Sequence, residues 1–351
     1  MRCFATSGQR TNGCTLMMDT ATMPGGSGTR LSLIASLPSI CCPGGRDVMA
    51  QIPSDFHVYW QQTHDALAVY PACPEVEVLP MRSTEFATLY RVRLTSVGPY
   101  RLSAYLSIPV GSGPFPAIYY TPKYQSVLEI IPQGTANLQR SRYITLALAS
   151  RGQRTSDTPY AAMFPGLLTD GITQAATYPF RGIVADSVRG LSYLLTRPEL
   201  DATRVLVVGN DLALITAALQ PGATHVVSTP ALFYDTIALA AQTTAYPLEE
   251  INDYLRAFPA HTEAVRQTLS YYDLRAFAPR VTAHALLMAG APGSLLSATT
   301  LAPLEAALHG QVTMHDSEQS NYKDGLYSEQ WMAAQCGITD VQAILPEHWR
   351  S

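Results

Sequence analysis

The stretch RVLVVGNDLALITAAL, residues 204–219, constrains the fold more than any other part of the chain. A run of branched apolar residues gives way to Gly209-Asn210-Asp211, and then to Leu, Ile, Thr and Ala. Branched side chains favour extended backbone, Gly and Asn favour turns, and Leu and Ala favour helix. The stretch therefore predicts a strand, a tight turn and a helix in direct succession. The strand is apolar at successive positions, as in strands covered on both faces within a parallel sheet.

The same grammar recurs along the chain. SDFHVYWQQTHDALAVYP opens with a Ser-Asp capping signal and spaces Phe56, Tyr59 and Trp60 as a first helix would. LYRVRLTSVGPYRLSAYLSIPVG alternates around Gly98-Pro99 and predicts a β-hairpin. PFPAIYYTP and RYITLALAS are continuous apolar runs expected to form buried strands, and THVVSTPAL and AHALLMAGAP are two more. RGIVADSVRGLSYLLTRPEL carries Ile183, Val184, Val188, Leu191, Leu194 and Leu195 on one helical face. A long helical stretch is expected over 235–276, a helix in LAPLEAALHG, a last strand in QVTMHDS, and a closing helix in SEQWMAAQCG that Gly337 ends. Buried strands alternating with helices imply an α/β fold with a doubly wound, mainly parallel sheet.

Composition narrows the function classes. The 351 residues are 47% hydrophobic and 14% charged, which suits a globular chain with an ample core. The net charge of −4 gives no electrostatic support for nucleic-acid binding. No run of eighteen apolar residues occurs, so no membrane-spanning helix is expected. Residues 1–48 are rich in Gly, Ser, Thr and Met, show no period, and hold Cys3, Cys14, Cys41 and Cys42. They read as a disordered leader ahead of one domain over 49–351, with Met49 as an alternative first residue. Arg30 followed by LSLIASLPSI also admits a signal peptide beginning at Met23. The first reading places the protein in the cytoplasm and the second makes it secreted. Cys73 and Cys336, the remaining cysteines, make no disulfide framework.

Chemical motifs are sparse. No paired cysteines, no H-x-x-x-H and no Asp-x-Asp cluster is present, so no metal is expected. No phosphate loop or dinucleotide fingerprint occurs, and GGSGTR precedes no predicted strand–helix unit, so no cofactor is expected. His225 and His284 fall inside apolar strand segments and read as hydrogen-bonded core residues. His57, His64, His261, His309 and His348 fall on helices or connections. Ser126 and Ser150 lack the small flanking residues of a nucleophilic turn.

Several segments, in order, resemble the acetyl xylan esterase and cephalosporin-C deacetylase family. They are the helix containing FHVYW, GPFPAIYYTPKYQSV, SRGQRTSD, the helix and turn of YPFRGIVADSVRGLSYLLTRPELDATRVLVVGNDLA, and HTEAVRQTLSYYDLRAFAPRV. The resemblance runs from about Ser54 to Gly337 and implies an α/β-hydrolase fold. It also implies a serine in a G-x-S-x-G turn, an aspartate after the next-to-last strand and a histidine after the last. Placed on this chain, those positions are Asp211, Gly293 and Gln319, so all three triad members are replaced. The two oxyanion donors that the resemblance implies are backbone N–H groups, at Tyr124 and Leu212. Lys123, Gln125 and Ser126 stand where the family has glycines, and Pro122 removes a donor. The expected activity is that of an esterase-family protein without serine-esterase chemistry, with a small-molecule or acetylated-sugar ligand and a homo-oligomeric state.

Three readings of Asp211 stay open. Gly209 and Ala213 are small enough to allow the strained turn, Asp tolerates left-handed backbone, and a carboxylate gains from the helix N-terminus, so Asp211 suits a structural role. Some α/β-hydrolases instead attack with an aspartate, which here would need His315 as base, oriented by Asp316 or Glu318. A ligand-binding carboxylate is the third reading.

Overall fold

The computed structural model describes residues 52–124, 138–153, 155–157 and 162–344. The expectations for residues 1–48, and for Gln125, Ser126 and His348, lie outside the described residues. The first half of the chain forms α1 (Phe56–Ala68), β1 (Glu75–Val78), β2 (Ala87–Thr95), β3 (Arg101–Pro109), β4 (Phe115–Tyr120), β5 (Ile144–Ala149) and α2 (Pro179–Leu194). Then come β6 (Leu200–Gly209), α3 (Asp211–Leu219), β7 (His225–Ser228), α4 (Thr236–Ala240), α5 (Glu249–Ala257), α6 (Thr262–Ser270) and α7 (Leu274–Phe277). The chain continues through β8 (His284–Ala289), α8 (Ala298–Ala307), β9 (Val312–Asp316), α9 (Asn321–Gln335) and α10 (Val341–Ile344).

The strands form one nine-stranded sheet in the order β1-β2-β3-β5-β4-β6-β7-β8-β9. β1, β2, β3 and β5 pair antiparallel, and every pairing from β5 through β4 to β9 is parallel. The fold is therefore α/β with a mainly parallel sheet. The predicted hairpin is β2–β3, and its turn residue Gly98 has φ +85°, where glycine carries no Cβ penalty.

Strand alternation sorts the core into two layers. On β6, Val205 and Val207 face the helices α1, α2 and α3, while Leu206 faces the opposite side with Ile118, Val227, Leu286 and the α9 residues Trp331 and Met332. Each fully buried Val or Leu contributes about 1.5–3 kcal/mol relative to exposure. Gly209 lets the ends of β4 and β6 approach, since a Cβ there would lie 2.0 Å from Thr121 Oγ1.

Some expectations need correction. The stretch 235–276 is not one long helix but α4 to α7, and Pro247 and Pro259 fall between the pieces, where a missing N–H ends helical bonding. Asp55 precedes α1 as expected but does not cap it with its side chain; its carboxylate accepts a 2.7 Å hydrogen bond from Tyr271. The closing helix starts earlier than its apolar run, at Asn321, where Ser320 accepts from Lys323 N–H.

Candidate functional site

The positions that the resemblance implies for a hydrolytic triad follow the carboxyl ends of parallel strands, where open α/β sheets bind ligands. Asp211 follows β6, Gly293 follows β8 and Gln319 follows β9. The local sequence of each explains its backbone.

Asp211 is the first residue of α3 and is 1% exposed. It does not have the left-handed backbone expected of a strained turn; among the described residues other than glycine, only Cys73, Asp235 and Gln319 have positive φ. The reason is the destination of its side chain. Asp211 Oδ1 accepts N–H groups from Ala231 at 3.2 Å, Leu232 at 3.1 Å and Phe233 at 2.9 Å, and Leu232 N–H also reaches Oδ2 at 3.1 Å. These donors come from the segment after β7, twenty to twenty-two residues further along. Successive backbone N–H groups curled around an anion form a nest. Burial pushes the Asp211 carboxyl above its ordinary range, and the nest opposes that shift.

Gly293 has φ +80°, and a Cβ built there meets nothing within 4 Å. Gln319 also has left-handed backbone, at φ +55°, and is exposed. Its N–H donates to Ser317 Oγ at 3.0 Å. None of these contacts brings Gln319 or Gly293 to Asp211.

His315 is not hydrogen-bonded to Asp211. It pairs across the sheet with Met288, which packs on the α9 side, so alternation turns its ring away from α3. His315 Nε2 lies 3.0 Å from Asp324 Oδ1, and the ring stacks on Tyr327 at 4.0 Å. The carboxylate that orients it is thus Asp324 on α9. Asp316 is exposed and Glu318 pairs with Lys323. Burial works against the Asp324 charge, but Ser317, the Glu318 N–H and His315 outweigh it and hold the carboxyl below its ordinary range.

Of the two oxyanion positions, Leu212 lies in the first turn of α3, where no helical carbonyl precedes its N–H. Tyr124 follows β4. Its hydroxyl donates to Glu250 Oε1 at 2.5 Å, and Leu168 N–H reaches both Tyr124 Oη at 3.1 Å and Glu250 Oε2 at 3.0 Å. Glu250 is 1% exposed, and burial raises its carboxyl against the opposing hydrogen bonds. The Tyr124 ring stacks on Phe180 at 6.0 Å, and Phe180 packs edge-on against Phe233 at 5.0 Å. Two aromatic contacts thus connect Tyr124 to the nest around Asp211. Glu250 escaped the sequence reading because nothing local marks it among the acidic residues of α5. Gly166 is the one signal, since a Cβ there would lie 2.3 Å from Glu250 Oε2.

The remaining candidates have structural partners. Ser150 is 3% exposed and its N–H donates to Gln153 Oε1 at 2.8 Å. Arg151, in the SRGQRTSD segment, makes a bidentate contact with the fully buried Asp186 of α2. His225 bonds Thr224, His284 bonds Thr313, and both rings pack against Trp331. Among the described residues, no three His, Cys, Asp or Glu side chains gather as metal ligands would. No helix among them is long and apolar enough to cross a membrane.

Comparison with known proteins fits this geometry. The family model for acetyl xylan esterase (AXE1) matches residues 47–303, which include Asp211 and Gly293 and end before β9. The acetyl esterase Axe7A of Xylanibacter ruminicola is 24% identical over 243 residues, covering 66% of this chain and 54% of its own. The chain thus spans about half the length of that relative. Acetyl xylan esterase 1 from Thermoanaerobacterium superposes with a TM-score of 0.71 at 24% identity, covering 81% of this chain and 94% of its own. The acetyl xylan esterase of Paenibacillus sp. R4 gives 0.70 at 21% identity, with 81% and 95% covered. With nearly three quarters of its length matched by the family model and its sheet shared with two solved members, the chain belongs to the acetyl xylan esterase family.

Proposed function

We propose that this family member does not carry out serine-type ester hydrolysis, and that Asp211 ties together the loops on which its relatives' chemistry would rest. The supporting observation is the Asp211 carboxylate: buried, bound by three N–H groups, and therefore not presented to a substrate carbonyl. A nucleophile has to be exposed and within reach of a base, and His315 is engaged on the other side of the sheet. Gly293 and Gln319 supply neither the acid nor the base of a triad. Backbone donors at Tyr124 and Leu212 survive any side-chain replacement, so the site keeps the means to hold a carbonyl oxygen without attacking the carbon. The ligand class that follows from the relatives' names is an acetylated sugar, bound and released unchanged.

The test is hydrolysis of p-nitrophenyl acetate and of an acetylated xylo-oligosaccharide. The expected rate is that of buffer, for the natural chain and for Asp211→Ser alike, because the acid and base positions stay empty. Turnover that persists in Asp211→Ala would mean a nucleophile elsewhere. Turnover that Asp211→Ala abolishes would overturn the structural role.

A further inference from the structure

A cavity of about 230 Å³ lies between α1, α2 and the far end of α3. It is separate from the triad positions. Ala218 and Leu219 line it, and Ala218 is about 10 Å along the α3 axis from Asp211. Its floor is apolar and buried: Trp60 and Leu67 from α1, and Val184, Ala185 and Val188 from α2. Its rim is basic. Arg280 stands at the mouth, and one of its terminal nitrogens contacts His57 Nδ1. His57 and His64 both line the cavity, two helical turns apart on the same face of α1.

The charge at this rim runs against the rest of the molecule. The chain carries a net charge of −4, yet no Asp or Glu lines the cavity. Among the described residues, no carboxylate lies within ion-pair distance of Arg280, whose guanidinium sits 5.6 Å over the Phe56 ring. Arg197, Arg204, Arg256 and Arg275, by contrast, each pair with an acid close by in sequence. Asp65 of α1 accepts a 2.8 Å hydrogen bond from Gln61 and does not line the cavity. A closed apolar floor under an arginine that has no acid of its own is complementary to one ligand shape: an apolar tail ending in an anion. A cavity of about 230 Å³ has room for a short aliphatic chain.

We propose that this cavity binds a medium-chain monocarboxylate, with its tail on the α1–α2 floor and its carboxylate on Arg280. Guanidinium is suited to that role because it stays charged and presents parallel N–H groups to two oxygens. The inference is independent of the proposed loss of hydrolysis, since it concerns other residues and is read by binding alone.

The experiment is calorimetric titration of the whole chain with octanoate, 1-octanol and octylammonium, with Trp60 fluorescence as a second readout. One saturable octanoate site per chain is expected, octanol weaker and octylammonium weaker still. Arg280→Gln is expected to weaken octanoate about tenfold or more while leaving octanol unchanged, as loss of a charge-assisted contact requires. Ala218→Phe, which fills the floor, is expected to weaken both. Equal binding of octanoate and octylammonium, an unchanged affinity in Arg280→Gln, or octanoate uptake that never saturates would each overturn the proposal. Should Ala218→Phe fail to fold, as a melt would reveal, the Arg280→Gln comparison decides on its own.

Discussion

Two carboxylates organise two loops at the same edge of the sheet, and they do it differently. Asp211 is sealed in, with only backbone N–H groups of Ala231, Leu232 and Phe233 as partners from the neighbouring loop. Asp324 is part-exposed and gathers a histidine, a serine hydroxyl and one backbone N–H. Asp211 is buried and, among the described residues, makes no ion pair, so removing it leaves several donors unmatched at once. The partners of Asp324 can turn to solvent when it is lost. A buried group that ties loops together is costly to remove, while a similar group at the surface is worth little.

The largest effect is therefore expected at Asp211. Asp211→Ala orphans three N–H groups at ~1 kcal/mol or more each, so about 3 kcal/mol of stability should be lost in denaturant unfolding. Asp211→Asn keeps one acceptor oxygen and should lose about half as much. Because Asp211 does not have left-handed backbone, Asp211→Val should resemble Asp211→Ala, and a much larger loss in the valine variant would point to a strained turn after all.

Next comes the approach of β4 to β6 beneath that loop. Gly209→Ala should cost about 1–3 kcal/mol, because the new methyl meets the Thr121 hydroxyl. Adding Thr121→Ala should restore part of the loss, and a double-mutant cycle measures how much. Simple additivity would mean that the strain lies elsewhere.

The α9 side should reveal itself through pH. Glu329 is part-buried, accepts a 2.7 Å hydrogen bond from Gln139, and has its carboxyl pushed up from 4.5 to about 7 by burial. The folded chain thus holds this proton more tightly than the unfolded one. The contribution is complete below pH 4.5 and is lost as the pH rises through about 7. Melting temperatures should fall over that window, and Glu329→Gln should flatten the slope. Asp324 runs the other way: its lowered carboxyl contributes above its ordinary value of 3.8 and loses that contribution as acid protonates it. Asp324→Asn should cost the least, about 1 kcal/mol or less at neutral pH. If it cost as much as Asp211→Ala, the contrast between the two loops would fail.

What the sequence made legible follows from the range of the forces involved. Apolar runs and turn residues are local, so β2 to β9, α2 and α3 could be read directly, while β1, exposed at every position, offers no apolar run to read. The ordered family-like segments carried the α/β-hydrolase expectation. The partners of Asp211 and His315 could not be read the same way. Ala231–Phe233 carries no side-chain signal for anion binding, because the donors are backbone groups that any residue but proline provides. Asp324 became visible as the partner of His315 only once α9 was seen to begin at Asn321, which places its first turn beside the end of β9. Met314 and His315 show how much one step matters, since neighbours on a strand face opposite layers.

The nest around Asp211 also works as a ratchet on descent. A chain that has come to hold its loop after β7 by a carboxylate cannot regain a hydroxyl there in one step without loss. A serine oxygen is too short and too few in lone pairs to satisfy Ala231, Leu232 and Phe233 together. Under the proposed function, a serine at this position would meet that loss of stability with no gain in activity to offset it, because Gly293 and Gln319 would still be in place.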